Sequence, residues 1–406
     1  MCVWSDSSYL GIPTRLQWPE PGDNVFGGAL ARGLYGGQQM TTAETLLAGP
    51  RGRRMLLAYA RDAERTLQPE FCSDSFDYAV SLASYHLESG REGARVLFGP
   101  GAEEARRTVL TADDVAHRLS RVPLPEVTAV ALRSALADAV DAARYWQDPE
   151  GEDIVVDAEP VRRELRRVAE HIARSAHAQW WTTPAATDQW LVGWSADGTD
   201  SVGSTTAELL SDYGDRTAAE EVRAERDRPA DPSANWSGWW WSTPPTQCST
   251  RLLFAGTPAG LWFVEDSMGW ERAITRRVSI PAGARVYEVD GAPAWAELCR
   301  QFPVEVTAQK RHDWYRTTGR SGRWVIPDWS RLFERYEGVH LTVAGYLAAA
   351  GTAIAVDTDT ASVIAGWAPD ETYWLTDTVN LGSDDSRTWV CDTSGRHPSW
   401  IEETHQ

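Results

Sequence analysis

Apolar residues recur at helical spacing through the first part of the chain. Asp74–Glu88 places Phe76, Val80, Ala83 and Leu87 near a 3.6-residue period, with Asp74 as a candidate N-cap. Glu126–Gln147 carries the strongest pattern, with Leu132, Leu136, Val140 and Ala143 on one stripe. Met55–Thr66 reads the same way, as does a segment from Pro160 to Ala176 bearing Leu165, Val168 and Ile172, where the proline suits a first helical turn. Start signals agree with these periods. Thr41 precedes Glu44 and Thr111 precedes Asp114, spacings at which a hydroxyl and a carboxylate can each cap the other's backbone N–H. The glycines at 22, 27, 28, 33, 36 and 37 lack the lysine and hydroxyl ending of a phosphate-cradling loop and read as turn and packing positions. A mainly helical region over 1–185 is expected.

Beyond Ala178 the pattern shortens. Ser195–Ser237 is polar and charged, and predicts an exposed helix plus linker within a variable region at 186–248. From 249 onward, short apolar or alternating runs are bounded by glycine and proline. Arg251–Ala255, Leu261–Glu265, Ala273–Ile280, Arg285–Val289, Val339–Leu341, Ser362–Ala365 and Thr372–Leu375 predict strands. Pro293–Gln301 and Asp328–Tyr336 predict helices, and Thr342–Ala350 is small and apolar. Strands and helices interleave without regular βαβ spacing. The fold class expected is therefore α+β: a helical N-terminal part, then a mixed, mostly antiparallel α+β part at 249–406.

Charge narrows the partners. The 406 residues hold 39 basic and 58 acidic side chains, a net charge of −19. Duplex nucleic acid and anionic membranes are repelled on average, while a local basic pocket or a protein partner remains compatible. No apolar run reaches the length of a membrane span, and the first residues lack the basic and apolar regions of a signal peptide. Five scattered cysteines suggest neither a disulfide framework nor a zinc knuckle. A cytoplasmic protein of an acidic, lysine-poor bacterial type is expected. The 21 tryptophans exceed ordinary usage, and two rich clusters, AQWWTTP at 178–184 and GWWWSTPP at 238–245, echo each other. Large rigid aromatics fill cores, and they also stack flat ligands.

The densest chemistry lies in Arg311–Leu347. His312 beside Asp313 is a candidate general base, since a carboxylate can orient an imidazole, although adjacent residues on an extended segment point to opposite faces. Arg311 and Arg316, backed by Arg320 and Arg323, form a basic island suited to phosphate or carboxylate; salt bridges with surplus acids are the alternative. Trp314 and Tyr315 lie between them as stacking candidates. His340, between Val339 and Leu341, reads as a core histidine. Asp370 with Glu371, and Glu265 with Asp266, are acid pairs at strand ends. No metal site is expected, because the eight histidines form no HExxH.

Ser249, Thr250 and Arg251 place an arginine at a strand opening, and Glu371, Thr372 and Tyr373 place a glutamate entering a late strand. On these residues Trp239–Thr376 resembles the ADP-ribosyltransferase group of NAD-consuming domains. The resemblance implies that Arg251 grips the phosphates and ribose of NAD as co-substrate, and that Glu371 supports the cationic ribose as nicotinamide leaves. No other cofactor is implied. The expected function is glycosyl or ADP-ribosyl transfer on an anionic, nucleotide-like small molecule. Arg251, Arg311 and Arg316 would hold phosphates, Trp314, Tyr315 and Tyr373 would stack the ring, and His312 would act as base. Two other classes stay open: a non-catalytic tryptophan-rich binding or regulatory protein, and a carbohydrate-active hydrolase using Glu265 or Glu371.

Overall fold

Helices dominate the first half of the computed structural model, which describes residues 41–68, 72–88, 99, 101–194 and 205–403. The glycine-rich opening and Cys2 lie outside the described residues. The helices are α1 (Ala43–Ala48), α2 (Pro50–Leu67), α3 (Phe76–Glu88), α4 (Ala102–Arg107), α5 (Ala112–Arg121), α6 (Ala129–Asp141), α7 (Gly151–Asp157) and α8 (Glu159–Ala173). Their ends follow local chemistry. The Thr111–Asp114 capping box opens α5, Pro160 sits in the first turn of α8, and Thr128 caps α6 by accepting from the Ala131 N–H. Thr42 rather than Thr41 caps α1, accepting from the Thr45 N–H; Thr41 is buried and donates to the Ala178 carbonyl instead. A 3₁₀ turn at Ala176–Thr182 follows.

The chain then enters the sheet through β1 (Gln189–Gly193), leaves through α9 (Thr206–Asp227), and returns as β2 (Cys248–Arg251), β3 (Arg272–Ser279) and β4 (Val286–Val289). Next come α10 (Ala292–Gln301), β5 (Pro303–Glu305), α11 (Thr307–Thr318), β6 (Arg323–Pro327), α12 (Trp329–Leu332), β7 (Gly338–Leu341) and α13 (Val343–Ala349). The strands β8 (Ile354–Ala355), β9 (Thr360–Ser362), β10 (Thr372–Trp374), β11 (Asn380–Asp392) and β12 (Ser399–Glu402) complete the set. The larger sheet runs β12-β11-β3-β1-β2-β10-β7-β4 and the smaller β5-β6-β9-β8. Pairing is antiparallel except at β4–β7 and β6–β9. The fold is α+β with mixed, mostly antiparallel sheets.

Helical layer and sheets share one core. Leu56, Leu165 and Ile172 belong to the same buried cluster as Trp295, Trp367 and Leu341. The expected boundaries at 185 and 248 fall inside the unit Gln38–Gln406. Much of the tryptophan excess goes into this interior: Trp181, Trp190, Trp295, Trp314, Trp324, Trp329 and Trp367 are fully buried. At the centre of the large sheet, Ser249 Oγ donates to Gln189 Oε1 at 2.9 Å and accepts from Trp374 Nε1 at 2.7 Å, tying β1, β2 and β10 in register.

Several expectations need correction. The segment Arg311–Arg316 is helical rather than extended, lying on α11, which ends at Gly319 in the left-handed region at φ 73°. Its apolar pattern is weak because its buried face is polar: Gln309, Lys310, His312 and Asp313 are all buried there. Arg251 ends a strand rather than opening one, and the chain turns at once through Gly256. Leu261–Glu265 is a short 3₁₀ turn and coil instead of a strand. Gln189–Gly193, expected in a linker, forms the central strand β1, bonded on both sides.

Candidate functional site

The six-residue chemistry on α11 is a clamp. Lys310 Nζ donates to the Trp239 and Trp241 carbonyls at 2.8 Å each, and Trp314 Nε1 donates to the Trp240 carbonyl at 2.8 Å. Asp313 accepts from Ser237 Oγ, the Gly238 N–H and Arg316 Nη2. Arg316 also donates to the Trp146 and Trp236 carbonyls, and Arg311 pairs with Glu225 at 3.3 Å. These groups secure the second tryptophan cluster to the helix. His312 is buried, with Nδ1 3.4 Å from the Pro232 carbonyl, and desolvation holds its imidazole below the ordinary range. Tyr315 is half-buried on the same helix. The basic island is spent likewise, Arg320 on the Arg323 and Asp359 carbonyls and Arg323 on Glu305.

A second polar constellation runs through the sheet. Arg251 donates from its backbone N–H and Nε to the two carboxylate oxygens of Asp370, at 3.0 and 2.6 Å, and from its remaining nitrogens to Thr183 Oγ1 and the Pro184 carbonyl. Asp370 is buried and holds φ at 69°, a conformation costly for a residue with a Cβ. Its Oδ1 lies 3.4 Å from Nε2 of His340, whose Nδ1 lies 2.5 Å from Glu288 Oε2. Burial opposes charge on His340, but hydrogen bonds to Asp370 and Glu288 prevail and raise its pKa. With both ring nitrogens engaged, His340 anchors Asp370 rather than offering a base. Burial likewise disfavours ionised Asp370, yet His340 and Arg251 outweigh it and hold the carboxyl below its usual range.

Arg251 is thereby presented, rigid, to a cavity of about 310 Å³ between α6, the 3₁₀ turn and the segment after β2. Trp180, with Arg251 5.0 Å from its ring centroid, Trp181, Phe254 and Phe263 form its aromatic walls. Arg133 of α6 enters from the far side. Its guanidinium lies 3.5 Å from the Trp262 ring centroid and 5.3 Å from that of Phe254, and its buried Nε has no hydrogen-bond partner. Burial without a carboxylate nearby lowers its pKa to about 10. His177 stands exposed on the rim, and among the described residues no carboxylate lines the cavity.

The structure thus places the expected residues in three locations. Arg251 lines the pocket. His312, Trp314, Tyr315, Arg311 and Arg316 belong to the α11 clamp. Glu371, just ahead of β10, and Tyr373 on it both neighbour Cys248, whose thiol lies 3.5 Å from Glu371 Oε1. Burial pushes the Glu371 carboxyl up to about 8, and that of neighbouring Glu265 to about 7. Both Glu265 oxygens are buried beside the hydroxyls of Tyr145 and Tyr346, which offset part of that rise. Arg133, Phe254 and the Glu288 link went unread in the sequence. The only local sign of Arg133 is its position beside the Leu132–Leu136 stripe. The chain matches no protein-family model, no curated protein and no solved structure.

Proposed function

We propose that the protein binds a small anionic molecule with a flat ring, nucleotide-like in chemistry, in the Arg133–Arg251 pocket. One observation carries this reading. In a chain of net charge −19, the described residues lining the pocket include two arginines and no acid, and one of the arginines, Arg133, has no ion pair among the described residues. A guanidinium desolvated without a partner is costly, and an anion entering the pocket removes that cost. Trp180 and Phe254 supply faces for a ring. A cavity of about 310 Å³ is at the low end for ligand sites, which begin around 300 Å³, so it suits one ring with its anionic group. A whole dinucleotide such as NAD would place only one half inside.

Glycosyl or ADP-ribosyl transfer on that ligand is a second reading, favoured by one feature. The β2–β10 register pairs Ser249 with Thr372, which brings Arg251 and the Asp370–Glu371 pair to the same end of the sheet. Such chemistry needs an ionised acid. Glu371, with its carboxyl near 8, is mostly protonated at neutral pH, so Asp370 is the charged candidate.

A thermal-shift titration with adenosine monophosphate, nicotinate, NAD and inorganic phosphate tests both. A ring-bearing anion at a hundred times its dissociation constant adds about 2.7 kcal/mol of stability, and Arg133→Gln abolishes the shift. Asp370→Asn, which tolerates the left-handed backbone and frees Arg251, weakens the shift without removing it. No shift with any anion, or an unchanged shift in Arg133→Gln, refutes the pocket. Nicotinamide release from NAD that survives Asp370→Asn refutes the transfer reading alone.

A further inference from the structure

On the other side of the Arg133–Trp262 stack lies a groove of about 990 Å³, roughly three times the arginine pocket. Its floor is α2 and α6; its opposite wall is made of the Leu261–Glu271 and Cys391–Trp400 segments. Three tryptophans face it. Trp262 is covered on one ring face by Arg133, while Trp270 and Trp400 both pack on Trp194, at 5.6 and 5.8 Å between centroids. Trp270 keeps 37% of its surface exposed, a large aromatic platform left open at the rim.

Polar groups along the groove are balanced in sign. Arg54 pairs with Glu152 at 2.7 Å, Arg61 with Glu152 at 2.8 Å, and Arg65 with Asp77 at 2.8 Å. Arg144 pairs with Asp266 at 2.9 Å and Arg396 with Asp62 at 2.9 Å. Each guanidinium has five N–H donors, so a paired arginine still offers donors while its charge is neutralised. The acceptors are Asp138 and Asp141 of α6 together with the exposed Glu271 on the facing wall. Among the described residues the Asp138 carboxylate has neither hydrogen bond nor ion pair, and that of Asp141 accepts the Ser267 N–H at 3.0 Å. Loss of hydration on burial raises both carboxyl groups above their usual range, and the charges of neighbouring acids add to the effect.

This arrangement selects by charge. An anion would meet the unpaired Asp138 and Asp141, and an organic cation would have to lie among five guanidinium groups. A hydroxyl group both donates and accepts, so a ligand dense in hydroxyls uses both sets at once. The tryptophans supply faces for its rings, and the volume, at the top of the usual range of about 300–1,000 Å³, admits more than one ring. We propose that this groove is a binding site for a neutral, multiply hydroxylated ligand of the oligosaccharide class. The inference is independent of the anion pocket.

Isothermal titration calorimetry of the full chain with maltotriose, cellotriose and chitotriose tests it, with tetramethylammonium chloride and inorganic phosphate as charged probes. At least one trisaccharide binds, and Trp270→Ala weakens that binding roughly tenfold through loss of a stacking face. Asp138→Asn, on the exposed side of α6 and isosteric, keeps the fold and weakens binding severalfold. Absence of heat with all three sugars at millimolar concentration overturns the proposal. So does saccharide binding that neither Trp270→Ala nor Asp138→Asn alters, or binding of the cation alone.

Discussion

The Glu371 carboxyl makes stability fall as pH rises, and by an amount the structure sets. Loss of hydration lifts it from 4.5 to about 8, with the Ala368 N–H offsetting part of the effect and the charge of Glu265 adding to it. A folded-state value above the unfolded one means the folded protein holds more protons between the two. The stabilisation is fully present below about 4.5 and drains away as pH rises through 8. At about 1.4 kcal/mol for each pH unit, the rise from 4.5 to about 8 amounts to ~5 kcal/mol. That is an upper figure, because Glu265 titrates near 7 and the two acids lose protons as a coupled pair. Glu371→Gln keeps the shape and the acceptor for the Ala368 N–H, at 3.0 Å in the parent, but holds no charge at any pH. Urea unfolding at about pH 5 and about pH 8.5 reads the difference. Near pH 5 the two proteins match within about 1 kcal/mol, and near pH 8.5 the variant is more stable by several kcal/mol. Lys310, lowered from 10.5 to about 7 by burial, acts in the opposite sense: the unfolded chain holds its proton up to 10.5, so stability is regained as pH rises above 7. That contribution is common to both proteins and cancels between them. An equal wild-type-to-variant difference at the two pH values would show that Glu371 is not held neutral by its surroundings.

The α11 clamp and the second tryptophan cluster give two further tests. Lys310→Met removes the donor from the Trp239 and Trp241 carbonyls, and each orphaned carbonyl costs roughly 1–3 kcal/mol, offset in part by relief of the buried charge. Limited proteolysis detects this as faster cleavage between 232 and 245, and an unchanged cleavage rate there would sink the clamp. Gly366 and Gly256 both hold φ near +73°, at 72° and 74°, but only at Gly366 would a Cβ meet another atom, Trp241 Cβ at 2.4 Å. Alanine at either position costs about 1 kcal/mol for the backbone, and Gly366→Ala costs at least about 1–3 kcal/mol more by forcing Trp241 aside. Equal melting temperatures for the two variants would contradict this packing.

Local chemistry in the sequence determined a good part of the framework. The Thr111–Asp114 box, Pro160 and the Leu132–Leu136–Val140 stripe define α5, α8 and α6, because caps and apolar periods act within one or two turns. Alternation likewise marks β3, β4 and β10 within a residue or two of their ends. Where burial is polar, that signal fails. Helix α11 buries Lys310 and His312 against carbonyls, and Asp313 against a hydroxyl and an N–H, all supplied by the distant segment 232–241, and its sequence shows no apolar stripe to announce it.

Sites depend still more on tertiary structure. Arg251 and the Asp370–Glu371 pair stand out in the sequence as charged residues at strand ends, yet only the β2–β10 register brings them together, and only the left-handed turn at Asp370 selects Asp370 over Glu371 as the partner of Arg251. His340 is legible as a buried histidine, but Glu288, which engages its other nitrogen, lies 52 residues away on a parallel neighbour. Arg133 carries no local mark beyond its place beside the Leu132–Leu136 stripe. Its place in the pocket arises because α6 packs against the turn at Ala176–Thr182 and the segment after β2, leaving a guanidinium among aromatic rings with no acid to meet it. The chain encodes its helices and strands through neighbours a few residues apart, whereas an unpaired charge in an aromatic pocket is defined by what surrounds it in space.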